Sequence, residues 1–121
     1  MKQFAAALWV LSAGMAMSAP IVEGPSPFGK VLVAENQMTL YTFTKDTPGV
    51  SNCDAKCTEH WPPLAADETD APFDRFTVIE RADQSYQWAV DGKPLYFYWE
   101  DQNAGDTLGE GRHGTWAVAR P

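Results

Sequence analysis

Apolar and polar positions alternate in two well-separated stretches of the chain. Residues 30 to 43 read KVLVAENQMTLYTF, and residues 85 to 99 read SYQWAVDGKPLYFYW. Each is a β-rich run, a polar break and a second β-rich run, the pattern of an antiparallel hairpin. In the second stretch the break is Asp91-Gly92. That dipeptide suits a type I′ turn, which needs positive φ at both central positions. Side chains two apart on a strand share a face. Tyr41 and Phe43 therefore point one way, as do Tyr96 and Tyr98, while Leu40 and Leu95 point the other. Pro94 falls at a strand start, where its missing N–H does least harm.

The two stretches are copies. At an offset of 55 residues Ala34 falls on Ala89, Leu40 on Leu95, Tyr41 on Tyr96, Phe43 on Tyr98 and Asp46 on Asp101, and Trp61 falls on Trp116 with no gap between. A shared offset that includes the rare tryptophan marks a duplication. Repeat one covers about residues 30–64 and repeat two about 85–119.

A turn-rich segment follows each hairpin. In copy one, Pro48-Gly49 fits the centre of a type II turn, and CDAKCTEH predicts a short helical turn near residues 54–60. In copy two the segment is QNAGDTLGEGRHG, glycine-rich but without a phosphate-binding lysine or strand–helix context, so it reads as a flexible loop. TWAVA predicts a closing strand. WPPL predicts an extended edge piece, because neither proline offers an N–H. Residues 73–82, with Phe76 and Val78 alternating, predict a further strand, and residues 65–72 a polar linker. Residues 19–29 carry three prolines and read as a flexible N-terminal arm.

A lone hairpin buries too little to stay folded. The expected fold is therefore mainly β: one small antiparallel sheet domain over residues 30–121, built from two duplicated hairpin units with pseudo-twofold symmetry. Its aromatic load supplies the buried area.

Residues 1–18 change the picture of where the protein lives. Lys2 precedes the apolar run FAAALWVLSAGMAM, and small residues follow at Ala16, Ser18 and Ala19. This is the layout of a secretory signal peptide cleaved after Ser18. The run of about 14 residues is shorter than the roughly 20 needed to span a bilayer, so no transmembrane segment is expected in the mature chain. The 121-residue precursor carries 16 acidic and 9 basic side chains, a formal net charge of −7. Loss of Lys2 leaves 16 against 8, or −8. An acidic chain is a poor partner for nucleic acid or anionic membrane. The two cysteines, Cys53 and Cys57, are expected to pair in an oxidising compartment, closing a small loop that stiffens one turn.

The stretches LYTFTKDTPGVSNCDAKCTEHWPPL and DGKPLYFYWEDQNAGDTLGEGRHGTW carry a resemblance. The chain is similar to the secreted-repeat, predicted-lipoprotein family described by a Tyr-x-aromatic-x-x-Asp motif, over nearly all of residues 30–119. The resemblance implies an exported bacterial protein and carries no established biochemical activity. No cysteine stands near the cleavage site to accept a lipid, which favours a soluble periplasmic or secreted protein.

Two constellations have chemical potential. Tyr41, Phe43, Tyr96 and Tyr98 form either an aromatic platform for a ligand, with Asp46 and Asp101 as polar contacts and Trp61 and Trp116 nearby, or cross-strand core pairs. In the second reading each Asp accepts hydrogen bonds from the turn that follows it. Cys53, Cys57, His60 and His113 form either a structural disulfide with two surface histidines or a soft-metal set suited to copper. No spacing singles out a catalytic group. The sequence favours a non-catalytic binding or scaffolding role without a cofactor, with a copper or redox accessory role as the alternative.

Overall fold

The computed structural model describes residues 19–121; the expected signal peptide lies outside the described residues. Eight short strands follow in chain order: β1 (Ile21–Gly24), β2 (Val31–Ala34), β3 (Tyr41–Phe43), β4 (Ala65–Ala66), β5 (Phe76–Glu80), β6 (Tyr86–Val90), β7 (Lys93–Pro94) and β8 (Trp116–Val118). All pairings between them are antiparallel. Two 3₁₀ turns, Cys57–Glu59 and Arg112–Gly114, are the only helical elements among the described residues. The first falls where the sequence predicts it.

The second hairpin turns at Asp91 (φ 51°) and Gly92 (φ 80°), the two positive-φ positions that the sequence predicts. The first hairpin has a longer loop. Ala34 N–H donates to the Met38 carbonyl at 3.0 Å, Gln37 takes φ 70°, and the Asn36 side chain accepts from Met38 N–H. At the predicted type II turn, Gly49 takes φ 74° and Val50 N–H donates to the Thr47 carbonyl.

The hairpins meet at two tyrosines. Tyr41 N–H donates to the Tyr96 carbonyl at 2.8 Å, and Tyr96 N–H donates back to the Tyr41 carbonyl at 3.0 Å. Tyr96 is bridged on its other side by Pro63, and Tyr41 by Val118. The four form a row, Pro63–Tyr96–Tyr41–Val118, with the pseudo-twofold axis at its centre. WPPL thus becomes an outer segment of this row, as its prolines require. Where the prolines stand a carbonyl does the pairing: Pro62 accepts from Phe97 N–H, as the preceding His60 accepts from Trp99 N–H, and only at Leu64 does an N–H pair inward again. At the other end Val118 N–H donates outward to Glu110 Oε1, and Gly111 N–H donates to the Trp116 carbonyl.

Each repeat therefore ends on the other repeat's hairpin. Backbone hydrogen bonds close a three-way junction in each half. Leu64 N–H donates to the Leu95 carbonyl, Leu95 N–H to Trp88, and Trp88 N–H to Leu64. In the opposite half Ala119 N–H donates to Leu40, Leu40 N–H to Leu32, and Leu32 N–H to Ala119. The closing segment of copy one sits in copy two, and the reverse.

Alternation along the strands separates two cores. On one side Leu40 and Leu95 pack with Ile21, Leu32, Leu64, Phe76, Trp88, Val90 and Ala119. On the other Tyr41, Tyr96, Tyr98, Trp61 and Trp116 pack with Val31, Val33, Cys53 and Val118. This is the division the sequence predicts. β2 is buried on both faces, which fits its continuous apolar run VLVA.

The N-terminal arm is a correction. Residues 21–24, expected to be flexible, form β1 and pair along the whole of β2. Ile21 lies 55 positions before Phe76, the first residue of β5, and both enter the same core. The repeated unit thus begins before residue 30. Flanking prolines and the four-residue length hid this strand in copy one.

Candidate functional site

The repeated motif is a pair of crossed hydrogen bonds. Tyr41 Oη donates to Asp101 Oδ2 at 2.6 Å, and Tyr96 Oη donates to Asp46 Oδ2 at 2.8 Å. Each tyrosine reaches the aspartate of the other repeat. The second oxygen of each carboxylate accepts from its own loop: Asp46 Oδ1 from Asn52 N–H at 2.6 Å, and Asp101 Oδ1 from Leu108 N–H at 2.9 Å. The loop contact is the one the sequence suggests for each aspartate. The crossing of the tyrosines was not legible, because the sequence lines up equivalent residues without saying which copies touch.

Burial governs the charges here. It pushes both phenols well above the ordinary value of 10.0, and the neighbouring carboxylates push the same way. Both tyrosines therefore remain donors. Burial also raises Asp46 and Asp101 above the usual carboxylate value, although the hydrogen bonds they accept oppose it.

The two locks differ in their support. Tyr96 Oη also meets Ser51 Oγ at 2.7 Å. Arg81 Nη1 reaches Ser51 Oγ and Gln87 Oε1, and its Nη2 reaches the Cys53 carbonyl at 2.7 Å. Gln87, fully buried, passes its amide to the Leu95 carbonyl. A polar chain thus runs from Asp46 through Tyr96 and Ser51 to Arg81 and Gln87. Among the described residues, no cation is hydrogen-bonded to Tyr41 or Asp101 in the other lock. Its phenol oxygen accepts from Gly109 N–H at 3.2 Å, and Asp106 and Glu100 surround Asp101 with negative charge. Sequence reading missed Ser51, Arg81 and Gln87, and the structure shows Gln87 fully buried in β6.

The aromatic rings are interior. Trp61 and Trp116 stack with centroids 3.8 Å apart and planes 2° from parallel. Phe43 stacks on Trp116 at 4.2 Å, and Tyr41 and Tyr98 pack against Trp61. Trp61, Trp116, Tyr41 and Tyr96 are all buried. Gly109 passes so close that a Cβ there would lie 2.8 Å from Trp61 Cη2 and 2.9 Å from Tyr41 Cε2. The structure thus brings all eight motif residues together around the axis: Tyr41, Tyr96, Tyr98, Trp61 and Trp116 are buried, while Phe43, Asp46 and Asp101 are half-buried. Just outside the motif, Trp99 is 55 % exposed, its ring 4.5 Å from that of His60.

Cys53 and Cys57 are joined, with Cα atoms 5.2 Å apart, inside the usual disulfide range. Cys53 is buried among the aromatics. His60 packs on Trp99, and His113 lies in the second 3₁₀ turn. Among the described residues, no group of three or more His, Cys, Asp or Glu is placed to hold a metal. A cleft of about 410 Å³ beside the disulfide is lined by Ser51, Cys53, Arg81 and Asp83, among others.

This doubled architecture has a match in sequence. Residues 26–65 and 77–120 each fit a family described as a secreted repeat of unknown function. The chain belongs to that family, as the duplicated motif led us to expect, and the family's description makes it an exported protein. No curated protein and no solved structure matches the chain. No helix among the described residues is long and apolar enough to cross a membrane.

Proposed function

We propose that this protein is a non-catalytic binding or scaffolding domain of the bacterial cell envelope, soluble in the periplasm or released. One observation carries the reading: Tyr41, Tyr96, Asp46 and Asp101 bind each other across the repeats. The motif holds the fold together, and its groups are occupied. Contact with a partner then falls to the exposed rim, where Trp99 and Leu108 are more than half exposed. An exposed aromatic beside polar groups is the usual composition of a contact site.

The test is a comparison of Trp99→Ala with the parent protein in sedimentation with isolated envelope fragments. The expected result is unchanged thermal stability with reduced association. Equal association of the two proteins overturns the placement. A specific turnover, lost on gene deletion and restored by purified protein, overturns the non-catalytic reading. The copper alternative makes its own demand. Stoichiometric Cu(I) uptake that disappears in Cys57→Ser would establish it, whereas unreactive sulfurs and no uptake remove it.

A further inference from the structure

We propose that the two repeats also pair between molecules, so that copy one of one chain combines with copy two of another in a reciprocally exchanged dimer. The partner is a second copy of this chain. This inference does not depend on what the domain binds.

Its basis is that the repeats hold each other by contacts between copies. The Tyr41–Tyr96 backbone pair, both Tyr–Asp locks, both three-way junctions and the Trp61–Trp116 stack all join residues of one copy to residues of the other. Both cores mix the copies. The surface that copy one offers to its own copy two is offered unchanged to the copy two of a neighbour. Exchange of an identical element is a low-cost route to a dimer, and a twofold axis closes it.

What favours the monomer is only the tether. Residues 67–75 join β4 to β5, which flank β6 on opposite sides. Ala66 lies opposite Tyr86 and Phe76 opposite Val90. Four residues along the strand and two strand spacings across put these ends about 17 Å apart. The tether spans this with slack, holding itself by an exposed turn in which Asp67 N–H donates to Asp70 Oδ2 and Asp70 N–H to the Asp67 carbonyl. A short flexible tether gives an effective concentration of about 1 mM, which falls towards zero when it cannot reach.

Deleting residues 67–72 leaves three residues between the strands, a reach of about 14 Å. The shortened chain is then expected to fold only as a dimer, seen by light scattering on size exclusion. A folded monomer of that variant overturns the proposal. A second experiment uses the intact tether. Trp61→Ala and Trp116→Ala chains are unfolded together and refolded at about 1 mM. Exchange unites the intact Trp61 of one chain with the intact Trp116 of the other in a single lobe. The expected product is a mixed dimer by native mass spectrometry, with one melting transition near that of the parent protein. If the mixture shows no mixed dimer, or a mixed dimer without that transition, exchange does not occur. This outcome decides the matter even if the shortened chain fails to fold.

Discussion

Tyr41 of the first repeat gives its phenolic proton to Asp101 of the second, at 2.6 Å. Its counterpart Tyr96 does the same towards Asp46. The phrase repeated along the chain is thus a reciprocal clasp, and neither half is complete without the other. Coupling between the two members of a clasp is therefore the first thing to measure. Tyr41→Phe and Asp101→Ala, combined in a double-mutant cycle, are expected to show an interaction energy of about 0.5–3 kcal/mol, the range for groups in direct contact. The same cycle on Tyr41 and Asp46, which belong to one repeat, is expected near zero. Chemical denaturation of the four variants in each cycle checks this. Equal coupling in both cycles would rule out the crossed arrangement.

The stacked tryptophans test the core. Both rings are 4 % exposed and lie against each other. Removing either leaves a large cavity, at a cost of about 3–5 kcal/mol. Thermal unfolding of Trp61→Ala and Trp116→Ala should show similar losses, because the two occupy equivalent places. A silent substitution at either position would mean that its ring is not packed as described.

Gly109 is expected to tolerate no side chain. A Cβ would press on Trp61 and Tyr41 at under 3 Å, and overpacking of this kind costs about 1–3 kcal/mol. Gly109→Ala also disturbs the N–H that reaches the Tyr41 oxygen. The measurement is the midpoint of urea unfolding, and an unchanged midpoint would contradict the close approach.

The buried phenols give the protein an alkaline signature. The folded state holds the Tyr41 and Tyr96 protons more tightly than the unfolded chain does. Their contribution to stability is fully present below the ordinary value of 10.0 and is lost as pH rises beyond it. Phenolate absorbance from Tyr41 and Tyr96, read as the difference from the Tyr41→Phe and Tyr96→Phe proteins, is expected to coincide with loss of near-ultraviolet circular dichroism. Titration of these two tyrosines while the protein stays folded would refute this.

Asp101 behaves in the opposite sense to an ion-paired carboxylate. Its raised pKa means that protonation favours the fold, so wild type gains on Asp101→Asn as pH falls from the raised value towards the ordinary 3.8. Asp91, held down by Arg75, loses its contribution as pH falls. At neutral pH Asp101→Asn still offers an acceptor to Tyr41. Asp101→Ala leaves Tyr41 Oη and Leu108 N–H without this partner, at a cost of about 1–3 kcal/mol. Stability curves of the three proteins from neutral to acid pH check both statements.

Much of this fold was legible in the sequence, for reasons that can be named. The period of two put Leu40 and Leu95 on one face and the tyrosines on the other, and the structure keeps that division. Asp91-Gly92 fixed a turn because few other residues accept positive φ at both positions. β1 was not legible, since a four-residue strand among prolines is indistinguishable from a loop until its partner is known. The candidate site was legible as a set of residues but not as an arrangement. Self-comparison shows that Tyr41 equals Tyr96; it does not show that each reaches across the axis. Arg81 was hidden for a similar reason: it lies outside the shared motif and acts through Ser51, Gln87 and a backbone carbonyl.

The row Pro63–Tyr96–Tyr41–Val118 also has margins that resist further pairing. A row of strands normally leaves free N–H groups at its ends, which invite another chain to add on. At one end Pro63 has no N–H to offer. At the other, Val118 gives its N–H to Glu110, and Trp116 takes a hydrogen bond from Gly111. The ends are blunted by different chemistry, one by omission and one by self-capping. Growth into a fibre is thereby closed off at both margins of this row, and a second molecule can enter this row only by taking a repeat's own place.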